Sequence, residues 1–162
     1  MFADKDLISD FVSISDCNEQ KRVRLCSHKN ETDSLHEMLI VHEKNAYVRP
    51  HKHISNIESL YVISGSADLV LFSDDRKVNS VINLSDFGSD KVFYYRLNTP
   101  IFHTLLVKSD KFVFHEVTSG PFLREQTIFP DWAPSESQHE EIDDFIAWLS
   151  AVAADLDLGR KT

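Results

Sequence analysis

The pattern of apolar and polar positions divides the chain into a strand-rich centre between two helical ends. Apolar residues recur at helical spacing over residues 4–14, which predicts a short amphipathic helix. Near the other end, an apolar stripe with acidic residues opposite predicts a second helix that opens with a capping box, Ser137–Glu140. The first set is Leu7, Ile8, Phe11 and Val12, and the stripe is Ile142, Phe145, Ile146, Leu149, Val152 and Leu156.

Between Val23 and Thr118 the chain changes to short β-branched and aromatic runs separated by polar turns. This spacing predicts an antiparallel sandwich or barrel and argues against a βαβ fold. Asp74–Lys77 is typical of a hairpin turn, and Gly65 of a tight turn. The predicted strands are Leu35–Val41, Tyr47–His51, Glu58–Ile63, Ala67–Phe72, Val78–Leu84, Val92–Leu97, Phe102–Val107 and Phe112–Val117.

Composition limits the classes of partner. The 162 residues suit one domain, and 26 acidic against 17 basic residues give a net charge of -9. This charge disfavours nucleic acid and anionic membranes as partners. No run reaches the roughly 18 apolar residues that a membrane span needs. The acidic start lacks the features of a signal peptide, so we expect a cytoplasmic protein, in which Cys17 and Cys26 are free thiols.

The placement of four polar residues predicts a metal site. His51 and His53 alternate on one strand, so their rings point to the same face. Glu58 begins the next strand with its carboxylate inward, and His103 lies on a later strand. Three imidazoles and one carboxylate suit one divalent first-row transition metal, whether Fe, Mn, Ni, Co or Zn. Up to two coordination positions would remain for water or substrate, whereas the alternative is a polar group without metal.

Two motifs resemble those of the cupin superfamily. His51-Lys52-His53, followed by Glu58 and Gly65, resembles the first, and Asn98–His103 resembles the second with its metal-binding histidine. The resemblance implies an all-β fold, a cupin jelly-roll β-barrel (double-stranded β-helix) with flanking N- and C-terminal helices. It divides the chain into a helical segment (1–22), the barrel (23–122) and an extension with an amphipathic helix (123–162). The departures are Asn45 and Pro100 in place of Gly, and Val107 in place of Asn.

A narrower resemblance extends beyond these motifs. Arg24–His28, Val48–His51, Gly120–Phe122 and Asp131–Pro134 are similar to segments of the WbuC-type cupin fold metalloproteins. The resemblance implies a bacterial, cytoplasmic protein that forms a homodimer. It also implies an association with polysaccharide biosynthesis, since some relatives belong to surface-polysaccharide gene clusters.

His115 and Glu116 are candidates for a catalytic base near the metal. They are neighbours on a strand, so they point to opposite sides and one of them would face the pocket. The alternative for His115 is a hydrogen-bonded packing role.

Four further residues are candidates for substrate binding. Arg24 and His28 would line the pocket mouth and hold an anionic group, because Arg binds carboxylate or phosphate through two hydrogen bonds. Arg49 and Tyr95 are assigned the same role. The alternative for Arg24 and His28 is a solvated edge strand.

Three functions remain open at this point. The first is a metal-dependent enzyme of isomerase or dioxygenase type that acts on a small polar metabolite such as a sugar derivative. The second is a non-catalytic module that binds or senses a small ligand at the metal. The third is an assembly role for the barrel, which an exposed apolar stripe on the last helix would favour.

Overall fold

The computed structural model describes residues 2–159 and is mostly β, with a helix at each end. Met1 and residues 160–162 of the predicted terminal segments lie outside the described residues. The elements in chain order are α1 (Lys5–Asp16), β1 (Arg22–Cys26), β2 (Leu35–Glu43), β3 (Lys52–His53), β4 (Glu58–Ser64), β5 (Ser66–Phe72), β6 (Val78–Ser85), β7 (Tyr94–Leu97), β8 (Phe102–Val107), β9 (Lys111–Ser119), a 3₁₀ turn (Arg124–Gln126), β10 (Thr127–Ile128) and α2 (His139–Gly159).

Two antiparallel sheets face each other across the main core. One has the strand order β1-β2-β9-β4-β7 and the other has the order β6-β5-β8, while β10 pairs with β3. Over residues 2–159 the recorded pairing gives three separate sheets and not one closed barrel. The side chains of the shared core are Met38, Ile40, Leu60, Val62, Ala67, Leu69, Leu84, Tyr95, Leu105, Val107, Phe112 and Phe114. Their alternation along each strand fixes which neighbouring residues point outward.

The helices cover the outer faces of these sheets. Asp4 caps α1 by accepting a hydrogen bond from the Leu7 amide at 3.0 Å, and the apolar face of α1 packs against β2 and β9. The stripe on α2 buries Phe145 and Leu149 against the three-stranded sheet. Because this stripe is covered within the same chain, the assembly role loses its main support. Neither described helix combines the length and apolarity needed to cross a membrane.

Seven of the eight predicted strands are present, Phe102–Val107 with the predicted bounds and six with shifted ends, and one prediction is wrong. Tyr47–His51 does not form a strand; only His51 makes an isolated bridge, to His103. Pro50 within that stretch has no N–H to donate, which disfavours continuous pairing. The short strands β1, β3 and β10 were not among the eight, and the pairing of β10 with β3 lies next to a predicted metal ligand, His53.

A buried histidine in the core predicts a loss of stability in acid. The ring of His42 packs edge-on against Phe114, with centroids 5.2 Å apart. Burial and the charge of Arg22 lower the pKa of His42 from its ordinary 6.5 to about 3. The folded protein therefore holds fewer protons than the unfolded chain between these values, and stability falls as the pH is lowered through this window.

Replacing His42 by Leu should remove this contribution. In urea unfolding from pH 7 to pH 4, we expect wild type to lose up to about 1.4 kcal/mol per pH unit more than His42→Leu. Parallel pH dependences of the two proteins would contradict a buried, neutral His42.

Candidate metal centre

The four predicted ligands come together at the junction of all three sheets. Glu58 belongs to the five-stranded sheet, His103 to the three-stranded sheet, and His53 to the β3–β10 pair. His51 joins them through its backbone: its N–H donates to the His103 carbonyl at 3.1 Å, and its carbonyl accepts from the His103 N–H at 2.9 Å. One ligand atom from each of the four residues lies within 4.8 Å of the others. This cluster can therefore hold a metal ion.

The three imidazole rings are oriented by hydrogen bonds at Nδ1. His51 Nδ1 lies 2.9 Å from the Arg49 carbonyl, and His103 Nδ1 lies 3.0 Å from the Ile101 carbonyl. A carbonyl can only accept, so both nitrogens carry the proton and donate it. His53 Nδ1 lies 3.2 Å from the hydroxyl of Thr127. This arrangement leaves the Nε2 lone pairs of His51 and His103 free for a metal.

The hydrogen bonding of one buried nitrogen indicates whether an ion fits the cluster. Nε2 of His103 is buried without a hydrogen-bond partner, although a Glu58 oxygen lies 3.4 Å from it. Leaving a buried polar atom unpaired costs about 1–3 kcal/mol. A divalent ion would satisfy this atom, and the donor set of three nitrogens and one carboxylate suits a first-row transition metal. The residues present therefore fit the divalent metal ion that the sequence predicts.

The Glu58 carboxylate is held in its charged form. Its Oε1 accepts a hydrogen bond from the Tyr95 hydroxyl at 2.7 Å, and its Oε2 lies 3.3 Å from His53 Nε2. Burial would raise the pKa of Glu58, but the charge of His103 and the close approach of the His103 and His53 rings outweigh it and hold the pKa well below its usual range. A charged carboxylate is the form that binds a cation.

Neighbouring charges give the histidines different protonation tendencies. Burial and the charge of His103 lower the pKa of His51 to about 4, so this ring is neutral at pH 7. For His103, burial acts to lower the pKa, but the charge of Glu58 outweighs it and raises the pKa above the ordinary value. A metal ion would compete with this proton, because only neutral imidazole binds metal.

Glu116 faces the cluster from the five-stranded sheet. It lies on β9 opposite Leu60 and Met38, on the same face as Phe114. Burial and the charge of Glu58 raise its pKa to about 8. Glu116 therefore carries an exchangeable proton near the ligands at neutral pH.

His115 occupies the opposite face of the same strand. Its side chain is 39% exposed, and its Nε2 lies 3.8 Å from a Glu37 oxygen. The structure thus brings Glu116, and not His115, to the metal cluster.

Of the four candidate substrate-binding residues, Tyr95 contacts a metal ligand, whereas Arg24, His28 and Arg49 make other contacts. Tyr95 lies within the cluster and holds Glu58. Arg24 is exposed, on the inward face of β1, and its charge acts to lower the pKa of Glu116. The ring of His28 stacks on that of His36 at 4.1 Å. Arg49 donates to the Ala133 carbonyl at 3.1 Å and lies over the Phe129 ring, so residues 129–133 engage its head group.

Thr127 was not a candidate from sequence, although it contacts a ligand directly. Together with Phe129, whose ring centroid lies 6.0 Å from that of His51, it belongs to an irregular stretch that matched no recognised motif. The pairing of β10 with β3 brings this stretch to the cluster.

Solved structures show what this fold resembles. Protein SO0799 from Shewanella oneidensis has a TM-score of 0.59 at 11% identity, with 96% of this chain and 98% of that chain covered. Oxalate decarboxylase from Bacillus subtilis at pH 4.6 has a TM-score of 0.51 at 15% identity, with 67% and 27% covered. CapF with the inhibitor 3-isopropenyl-tropolone has a TM-score of 0.52 at 15% identity, with 66% and 31% covered. The chain thus spans less than a third of the last two proteins, and the similarities show a cupin-like fold.

Sequence comparison places the chain in a family. The family model described as a domain of unknown function (DUF6016) matches residues 3–84, just over half of the chain. The matched stretch contains His51, His53 and Glu58, whereas His103 lies beyond it. No curated protein matches the chain. The chain therefore belongs to the DUF6016 family, with a cupin-like fold and a buried His₃Glu cluster that can hold a metal ion.

Proposed function

We propose that the protein is a metal-dependent enzyme that acts on a small polar metabolite such as a sugar derivative. The observation that carries the proposal is the convergence of the four ligands with a further titratable carboxyl group, Glu116, on the inward face of the neighbouring strand. A site that only stores or senses a metal has no need of such a group. A divalent ion held by these ligands supplies a Lewis acid that polarises a bound carbonyl or stabilises an oxyanion.

The residues of the chain have distinct roles in this proposal. Glu116 moves a proton to or from the bound metabolite, and isomerisation or oxygenation would both use such a group. Arg24, on the same inward face, holds an anionic part of the metabolite. Tyr95 positions Glu58 by donating a hydrogen bond from its hydroxyl to one carboxylate oxygen, Oε1.

The comparisons support this proposal only at the level of the fold. Oxalate decarboxylase is an enzyme with a cupin-like fold whose name identifies a small carboxylate as its substrate. An anionic substrate of that size is compatible with Arg24 at the site. The WbuC-type resemblance, a link to polysaccharide biosynthesis and a homodimer remain predictions.

A turnover assay with matched glutamate variants tests the proposal. Metal-loaded protein would be incubated with a panel of sugar derivatives and small carboxylates, followed by product detection and oxygen uptake. We expect Glu116→Gln to lower turnover about 10²–10⁴-fold while its metal content stays at the wild-type level, because a general acid–base group contributes about that much. Glu37→Gln, on the outer face near His115, is the matched control and should retain full turnover.

Binding without turnover would favour the second function. The absorption spectrum of the cobalt(II)-loaded protein reports ligands that enter the metal's coordination sphere. A compound that changes this spectrum but is not converted, in wild type and Glu116→Gln alike, would indicate a ligand-binding or sensing module. Equal turnover in wild type and Glu116→Gln would reject Glu116 as the proton-transfer group.

A further inference from the structure

A short C-terminal segment, residues 124–129, lies against β3, the strand that carries the metal ligand His53. β10 pairs antiparallel with β3, which places Thr127 opposite His53 and Ile128 opposite Lys52. The Ile54 amide donates to the Gln126 carbonyl at 2.9 Å and extends this pairing. The register of residue 127 relative to His53 is therefore fixed by the backbone.

His53 differs from the other two ligand histidines in what holds its Nδ1. His51 and His103 each bond the carbonyl of the residue two positions earlier, so their orientation is local. The Nδ1 partner of His53 is a side-chain hydroxyl from a residue 74 positions later in the chain. A side-chain partner can be removed by substitution, whereas a backbone carbonyl cannot.

We infer that Thr127 is a positioning residue for the metal centre, and that this role rests on the proposed metal-dependent function. Its hydroxyl oxygen accepts a hydrogen bond from His53 Nδ1–H, at the 3.2 Å separation that the structure shows. The Nε2 of His53 then keeps its lone pair toward Glu58 and the other ligands. Without the acceptor, the ring loses both its preferred tautomer and its fixed orientation. The C-terminal segment is thus part of the metal centre, although it lies outside both cupin-like motifs.

Zinc affinity in three proteins tests this role. Wild type, Thr127→Val and Thr127→Ser would compete with a chromophoric chelator for Zn²⁺. Valine matches threonine in shape and favours strands, so it removes the acceptor with little change in packing. We expect about tenfold weaker zinc binding in Thr127→Val, since losing an outer hydrogen bond to a ligand costs 10–100-fold. Thr127→Ser keeps the hydroxyl and should bind nearly as wild type does.

The imidazole N–H signals separate positioning from general structural support. In ¹H–¹⁵N spectra of the zinc-loaded proteins, hydrogen-bonded Nδ1–H protons exchange slowly enough to be seen. We expect Thr127→Val to lose the signal of His53 alone, while those of His51 and His103 persist, and Thr127→Ser to retain all three. If Thr127→Val folds poorly, as judged by circular dichroism, Thr127→Ala would be measured in the same way.

The outcomes distinguish this inference from the proposed function. Zinc binding and a His53 signal that are unchanged in Thr127→Val would overturn the role of Thr127 and leave the metal centre intact. Absence of zinc binding by wild type would overturn both. Loss of all three imidazole signals in Thr127→Val would indicate that Thr127 supports the whole segment and does not position one ligand.

Discussion

Replacing His53 by alanine should leave the purified protein with little bound metal. Wild type is expected to carry about one equivalent, because four converging ligands hold one ion. The variant loses one of those four, and we expect its affinity to fall by more than the 10–100-fold that loss of an outer hydrogen bond costs. Elemental analysis of protein purified without a metal-affinity tag measures the difference, before and after reconstitution with Fe, Mn, Ni, Co or Zn.

His115→Ala is the matched control for this variant. It removes an imidazole from a strand of the same molecule, but the ring lies on the outer face near Glu37. Its metal content should equal that of wild type. Wild-type metal content in His53→Ala would show that the ligand set is wrong, whereas metal loss in both variants would point to a general effect of removing histidines.

The ligand cluster was predictable from sequence because its geometry is largely local. Alternation along an extended segment places His51 and His53 on one face, and the contacts that orient His51 and His103 reach only two residues back. The departure of Asn45 from the cupin pattern is also harmless in local terms. Asn45 has φ 64°, a left-handed conformation that Asn tolerates better than most residues.

The choice between Glu116 and His115 could not be made from sequence. Alternation alone says that the two point in opposite directions, and it does not say which direction is inward. The pairing register decides this, since Glu116 lies opposite Met38 and Leu60, both of which belong to the core between the sheets. A shift of one residue in the register would have exchanged their roles.

The C-terminal segment was the least predictable part of the site. β10 has only two residues and no alternating pattern, so its pairing with β3 depends on tertiary structure and not on a local sequence signal.

The expected capping box at Ser137–Glu140 is displaced. The side chain of Gln138 instead bonds back to the Ser135 amide at 2.8 Å, two residues earlier than the pattern indicated. Ser, Glu and Gln are frequent throughout this stretch, so the pattern fits more than one register.

Replacing Gly65 by alanine should destabilise the protein by about 2–5 kcal/mol, which combines the cost of a left-handed residue with that of overpacking. Gly65 has φ +84° between β4 and β5, and a Cβ there would lie 2.1 Å from the Lys111 carbonyl oxygen and 2.6 Å from Ser109 Oγ. The serine hydroxyl can move, but the carbonyl belongs to the backbone of β9. Urea unfolding at pH 7 measures the loss, with Gly88→Ala as the matched control.

The control separates the turn from the general effect of adding a methyl group. A Cβ at Gly88 would meet only the Asp86 side chain, at 3.2 Å, in an exposed loop, so Gly88→Ala should change stability by no more than about 0.5 kcal/mol.

The turn at Gly65 also connects the strand that begins with Glu58 to the sheet that contains His103. If the turn shifts, the two sheets shift with it, so Gly65→Ala should weaken metal binding even where it remains folded. Wild-type stability and metal affinity in Gly65→Ala would mean that the turn accommodates the methyl group, and that the spacing of the ligands is set elsewhere in the sandwich.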